Sequence, residues 1–263
     1  MSSNVRNFNG KVVLITGSSD GIGAVTAVEF FRSGAYVVIT GRNLDKLSEV
    51  EKVCEKVSPN GLKPLVVVAD VSQVEDCERL VDKTIGKYGK LDILVNNAGI
   101  GTRGPIDDPD ILEKYEKIMD TNVRSVVYLC HLCVKHLENT KGNIVNISSV
   151  TGLRPFRESF LYCMSKSAID LFTKCLAVDL GPKGIRVNVV NPGPVRTNFM
   201  VARGISREKA DEIYQQIGPN YPLGRVGEPI DIANAILFLA SNESSFVTGI
   251  NFVSDGGAIF SAH

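Results

Sequence analysis

The sequence predicts an α/β fold, a single doubly wound parallel sheet of seven strands with helices on both faces. Short β-branched runs alternate with longer helical segments along all 263 residues, which is the order of successive right-handed βαβ units. The runs are apolar almost throughout rather than at every second position, so each strand should be buried on both sides, as in a parallel sheet. No linker, repeat or low-complexity stretch divides the chain, so residues 1–263 are read as one domain.

Taken in order, the predicted strands are KVVLIT (11–16), YVVIT (36–40), KPLVVV (63–68), DILVN (92–96), GNIVNIS (142–148), IRVNVV (185–190) and NFVS (251–254). Helical periodicity fills the intervals near 22–33, 44–57, 73–88, 110–137, 160–180 and 229–240. Residues 198–222, NFMVARGISREKADEIYQQIGPNYP, break this rhythm after the sixth strand. Their polar helical excursion suits a lid over a substrate.

Composition excludes several classes. Lys+Arg and Asp+Glu are both 29, so nothing in the charge asks for nucleic acid or an anionic membrane. The opening MSSNVRNFN is polar, no apolar run would span a bilayer, and the closing SAH is no retention address. The expected compartment is the cytoplasm. Cysteines stand at 54, 77, 130, 133, 163 and 175, several inside apolar helical patterns, as reduced core thiols do. Cys130, Cys133 and His136 invite a zinc reading, but no second pair of ligands has matching spacing, so no metal is expected.

The first strand runs into TGSSDGIG (16–23) and then a helix. Gly17, Gly21 and Gly23 permit a tight turn, close approach of a pyrophosphate and close helix–strand packing, and the helix N-terminus favours phosphate. Strand before and helix after make this a Rossmann-like nucleotide site. On the helix at 160–180, Tyr162 and Lys166 are four apart and share a face. A free phenol titrates near ~10, and a neighbouring ammonium should lower that value toward useful acid–base chemistry. Asn122, inside the helical run 110–137, is a poor mid-helix residue, and that local conflict marks a functional position.

The G-x-x-x-G-x-G spacing, NNAG (96–99), Asn122 in DTNV, Ser149 closing NISS, Tyr162 and Lys166 as Y-x-x-x-K, NPGPVRT (191–197) and SDGG (254–257) occur in that order. Together they resemble the short-chain dehydrogenase/reductase family over essentially the whole chain. The resemblance implies an oxidoreductase in which hydride passes between a nicotinamide and a carbonyl carbon. Catalysis would fall to Asn122, Ser149, Tyr162 and Lys166. Ser149 lies thirteen residues before Tyr162, the family spacing, and would orient the carbonyl, with Ser148 as support. Lys166 would bind the nicotinamide ribose, and Asn122 would hold a water linking Lys166 to solvent.

The same resemblance assigns cofactor contacts. Asp70 and Val71 would border the adenine, and Asn97, Ala98 and Gly99 would run along the ribose. Pro192, Gly193, Val195 and Thr197 would hold the carboxamide. Ser19, Asp20 and Ile22 of the glycine turn, with Arg42 and Asn43 after the second strand, complete the set. NAD enzymes place a carboxylate where this chain has Gly41. Arg42 beside it favours the 2′-phosphate of NADP, whereas Asp20 opposes one unless it turns away or pairs with Arg42. NADP is the expected cofactor, with NAD the alternative.

The expected substrate is a small ketone, aldehyde or alcohol met by a mostly apolar wall containing Ile100, Leu153, Phe156, Phe160, Phe199, Met200, Ile205 and Tyr214. An NAD-preferring hydroxysteroid-type dehydrogenase and a 3-oxoacyl-thioester reductase docking through Arg124, Arg154 and Arg157 are the alternatives. A silent nucleotide-binding regulator fits less well, because all four catalytic positions are intact. Family members usually form tetramers through the two long helices, and a homotetramer is expected.

Overall fold

The computed structural model describes residues 6–59 and 61–261. The first five residues of the polar opening and the last two of the closing SAH lie outside the described residues. Chain order begins β1 (Val12–Ile15), α1 (Gly21–Arg32), β2 (Tyr36–Gly41), α2 (Leu44–Val57), β3 (Leu65–Val68), α3 (Val74–Tyr88) and β4 (Ile93–Asn96). It continues with α4 (Ile111–Met119), α5 (Ser125–Thr140), β5 (Asn143–Ile147), α6 (Phe160–Leu180) and β6 (Arg186–Pro192). α7 (Arg207–Ile217), α8 (Pro229–Ala240) and β7 (Asn251–Ser254) follow. Each predicted strand lies within two residues of an observed one.

The strands form one parallel sheet in the order β3-β2-β1-β4-β5-β6-β7. Burial on both faces follows from the alternation of side chains along a strand. Val13 and Ile15 pack with Phe30 and Phe31 of α1 and Ile236 and Leu239 of α8. Val12 and Leu14 pack on the other side with Leu80 of α3, Leu129 and Cys133 of α5 and Ile169 of α6. The central strands β1, β4, β5 and β6 are therefore buried on both faces, which explains their continuous apolar runs.

β1 lies between β2 and β4, so the chain order reverses there. That reversal opens a crevice beyond the carboxyl ends of the strands, where ligands bind in such sheets. The glycine turn follows β1 and NNAG follows β4, so both flank this crevice.

The predicted helix 110–137 is not continuous. Between α4 and α5 the residues Asp120–Arg124 form a π turn, in which the Ser125 N–H bonds the Asp120 carbonyl five residues back. Asn122 sits in this turn, fully buried, and clamps the neighbouring loop. Its Oδ1 accepts from the Ile100 N–H at 2.8 Å and its Nδ2 donates to the Ile100 carbonyl at 2.9 Å. The sequence conflict at this position thus has a local structural outcome, a π bulge of the kind found at functional sites.

Candidate active site

The glycine turn is built for close approach. Gly17 has φ +63°, and a Cβ there would stand 2.8 Å from the Ala98 Cα. A Cβ on Gly23 would stand 2.4 Å from the Gly17 carbonyl oxygen and from Asn97 Nδ2. Asn97 donates to the Thr16 and Gly17 carbonyls, and the N–H groups of Asn97 and Ala98 both donate to Thr16 Oγ1 at 3.0 Å. NNAG therefore holds the turn in shape. Asp20 caps α1, accepting from the Gly21 N–H at 2.7 Å, and Ile22 packs against the sheet core. Thr197, from the loop after β6, lies against Gly21, where a Cβ would meet its methyl at 3.2 Å. Gly193 lies against Asp255 of SDGG, and Tyr214 Oη donates to the Val195 carbonyl at 3.0 Å. A turn with glycine at its three closest approaches, at the N-terminus of a helix and walled by a second loop, fits the diphosphate of a dinucleotide.

At the end of β2, a Cβ on Gly41 would stand 2.8 Å from Ser19 Oγ, so Ser19 occupies the space a carboxylate would need. Asn43 caps α2, accepting from the Lys46 N–H. Asp20 does not pair with Arg42. Its carboxylate accepts from Lys46 Nζ and from Asn198 Nδ2, both at 2.6 Å. Arg42 instead lies 3.7 Å from Asp70, whose other oxygen accepts from the N–H and hydroxyl of Ser72. Val71 is buried in the core.

The reactive cluster forms where α6 passes the ends of β4 and β5. Tyr162 and Lys166 share the buried face of α6, with the Lys166 ammonium 5.6 Å from the Tyr162 ring centroid. Lys166 Nζ donates to the Ile147 carbonyl at 2.9 Å. A Cβ on Gly99 would stand 3.3 Å from that ammonium and 3.4 Å from Asn122 Oδ1, so Lys166, Asn122 and the NNAG loop meet at one point. Ser149 closes the cluster through a hydrogen bond with Tyr162 and accepts from the Thr151 N–H. Ser148 points away, donating to the Lys166 carbonyl at 3.0 Å, and so acts as support.

Burial rather than Lys166 governs the tyrosine. Its phenol is pushed up to about 12, with Ser149 and Arg203 pulling the other way. The expected lowering by Lys166 is corrected here, because the ammonium is drawn under the ring toward Ile147 instead of toward the hydroxyl. Burial also brings Lys166 down to about 8, against a smaller opposing pull from Asp170. The pair is therefore a protonated acid beside a base that titrates near physiological pH.

The cysteines weighed for a zinc reading lie in the core. Cys130 and Cys133 are buried, burial raises both thiols, and Cys130 Sγ accepts from Asn96 Nδ2. Among the described residues no three His, Cys, Asp or Glu side chains cluster as metal ligands.

Comparison with known proteins assigns the chain. Residues 17–258 match the family model described as "Enoyl-(Acyl carrier protein) reductase". A glucose 1-dehydrogenase of Gluconobacter oxydans is 39% identical over 95% of this chain and 92% of its own. The chain is a short-chain dehydrogenase/reductase. A Caenorhabditis elegans member of unknown function, solved with cofactor, superposes with a TM-score of 0.91 at 37% identity, covering 97% of each chain. A 3-ketoacyl-(acyl-carrier-protein) reductase of Brucella melitensis, solved with NADH, gives a TM-score of 0.85 at 31% identity over 96% of this chain and all of that one.

This short-chain dehydrogenase/reductase also uses residues that the sequence reading missed. Asn96 Nδ2 donates to Asn146 Oδ1, and Asn146 Nδ2 to Thr173 Oγ1, both at 2.9 Å, tying β4, β5 and α6 together. Asn191 Nδ2 donates to the Ser149 carbonyl and to Asp170 Oδ1, fixing Ser149 against α6. Asn and Thr inside apolar runs were the available signal. The predicted substrate wall needs correction too. Met200, Ile205 and Tyr214 pack into a small separate core with Tyr221, because α7 folds back on its own apolar stripe. Phe199 does face the site, 5.6 Å from the Tyr162 ring. Of the three candidate docking arginines, Arg124 pairs with Asp120, Arg154 donates to the Ile259 carbonyl, and Arg157 is exposed.

Proposed function

We propose that this enzyme interconverts a ketone or aldehyde and the corresponding alcohol with a nicotinamide cofactor, preferring NADP(H). The observation that carries the reading is the convergence of Tyr162, Ser149, Lys166 and Asn122 at the crevice beyond β4 and β5. The bound cofactor supplies or accepts the hydride. In the reducing direction Tyr162 is protonated and gives its proton to the substrate oxygen as negative charge grows there. Ser149 donates to the same oxygen and orients it. Lys166, titrating near 8, restores the proton through the polar cluster around Asn122 and Gly99. The alcohol direction runs the same transfers in reverse. On this reading the glycine turn, Asn97, Ala98 and Gly99 hold the cofactor's diphosphate and ribose. Asp70 and Val71 border the adenine, and Pro192, Gly193, Val195 and Thr197 face the nicotinamide.

NADP is favoured because Gly41 leaves no carboxylate at the adenosine ribose and Arg42 stands beside it. The pairing of Asp20 with Lys46 reduces its opposition to a phosphate. The segment 198–222 serves as lid. Exposed Val127, Leu171 and Val178 on α5 and α6 give the apolar surface for a homotetramer, and free cysteines suit the cytoplasm. A screen of ketones and alcohols against NADPH and NADH tests the whole. Hydride transfer with a carbonyl, faster with NADPH and abolished in Tyr162→Phe, is expected. No turnover with any carbonyl or alcohol would overturn the reading.

A further inference from the structure

The loop after β6 carries an arginine that the fold leaves half-satisfied. Arg203 ends a short helical turn, Val201–Arg203, and reaches back over the loop that follows NNAG. Its Nη2 donates to the Thr102 carbonyl at 3.1 Å, and its guanidinium lies 5.5 Å from the Phe199 ring centroid. Its Nε is buried without a hydrogen-bond partner. Among the described residues no carboxylate lies within ion-pair distance of it, whereas Arg42, Arg79, Arg124, Arg196 and Arg225 each have one.

A half-buried arginine can be purely structural, and this protein contains such a case for comparison. Arg186 also lacks a carboxylate, but it donates to the carbonyls of Val247 and Ser241 and leaves no buried nitrogen unpaired. Arg203 has one carbonyl and an orphaned Nε. A second cation, Arg103, works against its charge. Desolvating a guanidinium is costly unless an acceptor, best an anion, faces it. The backbone also makes room for it. A Cβ on Gly101 would stand 2.6 Å from Phe199 Cζ and 3.0 Å from Arg203 Cδ, so glycine lets the side chain lie across the loop.

The location identifies what the missing anion belongs to. Phe199 lies between Arg203 and Tyr162, its ring tilted 47° to that of Tyr162, and the charge of Arg203 reaches the Tyr162 hydroxyl. Gly99, Ile100, Phe199, Ala202 and Arg203 line one side of a cleft of about 390 Å³, whose other side carries Arg42, Lys114, Lys117, Asp110 and Glu113; Phe199 joins this cleft to Tyr162. A molecule whose carbonyl oxygen met Tyr162 and Ser149 would therefore lie against Phe199 with its far end toward Arg203. We infer that Arg203 is a specificity-determining residue that binds an acidic group, a carboxylate or a phosphate, on the same small molecule that carries the reacting carbonyl. This rests on the carbonyl–alcohol reading above. It replaces a wholly apolar substrate by one with an apolar middle and an anionic end.

The test compares matched substrates on the cofactor-loaded enzyme: an oxo acid against its methyl ester, and a phosphorylated ketone against its free alcohol. Wild-type kcat/KM should favour the anionic member of at least one pair, and which pair responds distinguishes carboxylate from phosphate. In Arg203→Gln that preference should shrink ~10–100-fold, the effect of losing one charge-assisted hydrogen-bonded contact, while Arg203→Lys retains part of it. As a check independent of any variant, simple carboxylates should inhibit wild-type enzyme competitively against the carbonyl substrate, and the corresponding primary amides should not. Turnover of neutral ketones with no preference for their anionic partners would overturn the inference while leaving the carbonyl chemistry standing. A rise in cofactor KM alone in Arg203→Gln would also overturn it, by assigning the arginine to a cofactor phosphate.

Discussion

The Asp20 carboxylate holds the Lys46 ammonium at 2.6 Å across the mouth of the glycine turn, and the same oxygen accepts from Asn198 of the loop after β6. Asp20 is thus engaged on three sides, as helix cap, ion-pair partner and anchor of the loop after β6. These contacts outweigh burial and hold its carboxyl below the usual range. Asp20→Asn keeps the cap but releases Lys46. The expected result is a several-fold lower KM for NADPH with little change for NADH, because Lys46 becomes free to face a 2′-phosphate. Equal changes for both cofactors would show that Lys46 does not reach the phosphate.

Arg42 is held only by a loose, mostly exposed pair with Asp70 at 3.7 Å. A phosphate accepting two N–H bonds from the guanidinium would displace that pair easily. Arg42→Asp should turn the ratio of kcat/KM values toward NADH by ~10-fold or more, by removing a charge-assisted contact and adding a repulsive one. An unchanged preference for NADPH would contradict the assignment of Arg42 to the 2′-phosphate. Asp at Gly41, the more obvious change, is less informative, since its Cβ would collide with Ser19 Oγ.

Much of this was legible in the sequence. The apolar runs gave the strands because both faces of a parallel sheet are buried, and Gly17 and Gly23 gave the turn because a Cβ on either would strike backbone and Asn97, while one on Gly21 would press on Thr197. Asn122 was legible as a conflict, although not as a π turn, because helix periodicity does not register one added residue. The partners of Asp20, Lys46 and Asn198, were not legible because they come from distant segments that only the fold brings together. The tyrosine's pKa was misjudged for a similar reason. Spacing puts Lys166 on the face of Tyr162, but the Ile147 carbonyl, from another strand, decides where the ammonium points.

The proposed mechanism makes Tyr162 the proton donor. Tyr162→Phe keeps the ring against Phe199, so the fold and cofactor affinity should be preserved. Turnover should fall ~10²–10⁴-fold, the usual effect of losing a general acid. Tryptophan-free fluorescence is unsuited to the binding check, so cofactor affinity is best read by calorimetry. Near-normal turnover would refute the assigned role.

Gly17 offers a test of the cradle itself. Alanine at φ +63° costs roughly 1–2 kcal/mol in backbone strain alone, and its methyl would press on the Ala98 backbone. Gly17→Ala should lower the melting temperature and weaken cofactor binding together, as the turn is pushed off NNAG. A variant that melts as wild type and binds cofactor normally would mean that the turn has more room than its geometry shows.

The last expectation concerns pH. Burial brings Lys166 to about 8, so it is charged below that value and neutral above it. Reduction needs the protonated form to resupply Tyr162, so kcat for reduction should fall as pH rises through about 8, while alcohol oxidation should rise over the same interval. Asp170 identifies Lys166 as the group responsible. It lies one helical turn further along α6, hydrogen-bonded to Asn191, and its charge holds the lysine's pKa up. Asp170→Asn keeps the amide contact geometry but removes that charge. The reduction limb should then move to lower pH, below about 8, with the oxidation limb moving in the same direction. Lys166→Arg should remove the limb altogether at reduced overall rate, because a guanidinium stays charged throughout. A limb that stays in place in Asp170→Asn, or persists in Lys166→Arg, would assign the titration to another group and remove Lys166 from the proton path.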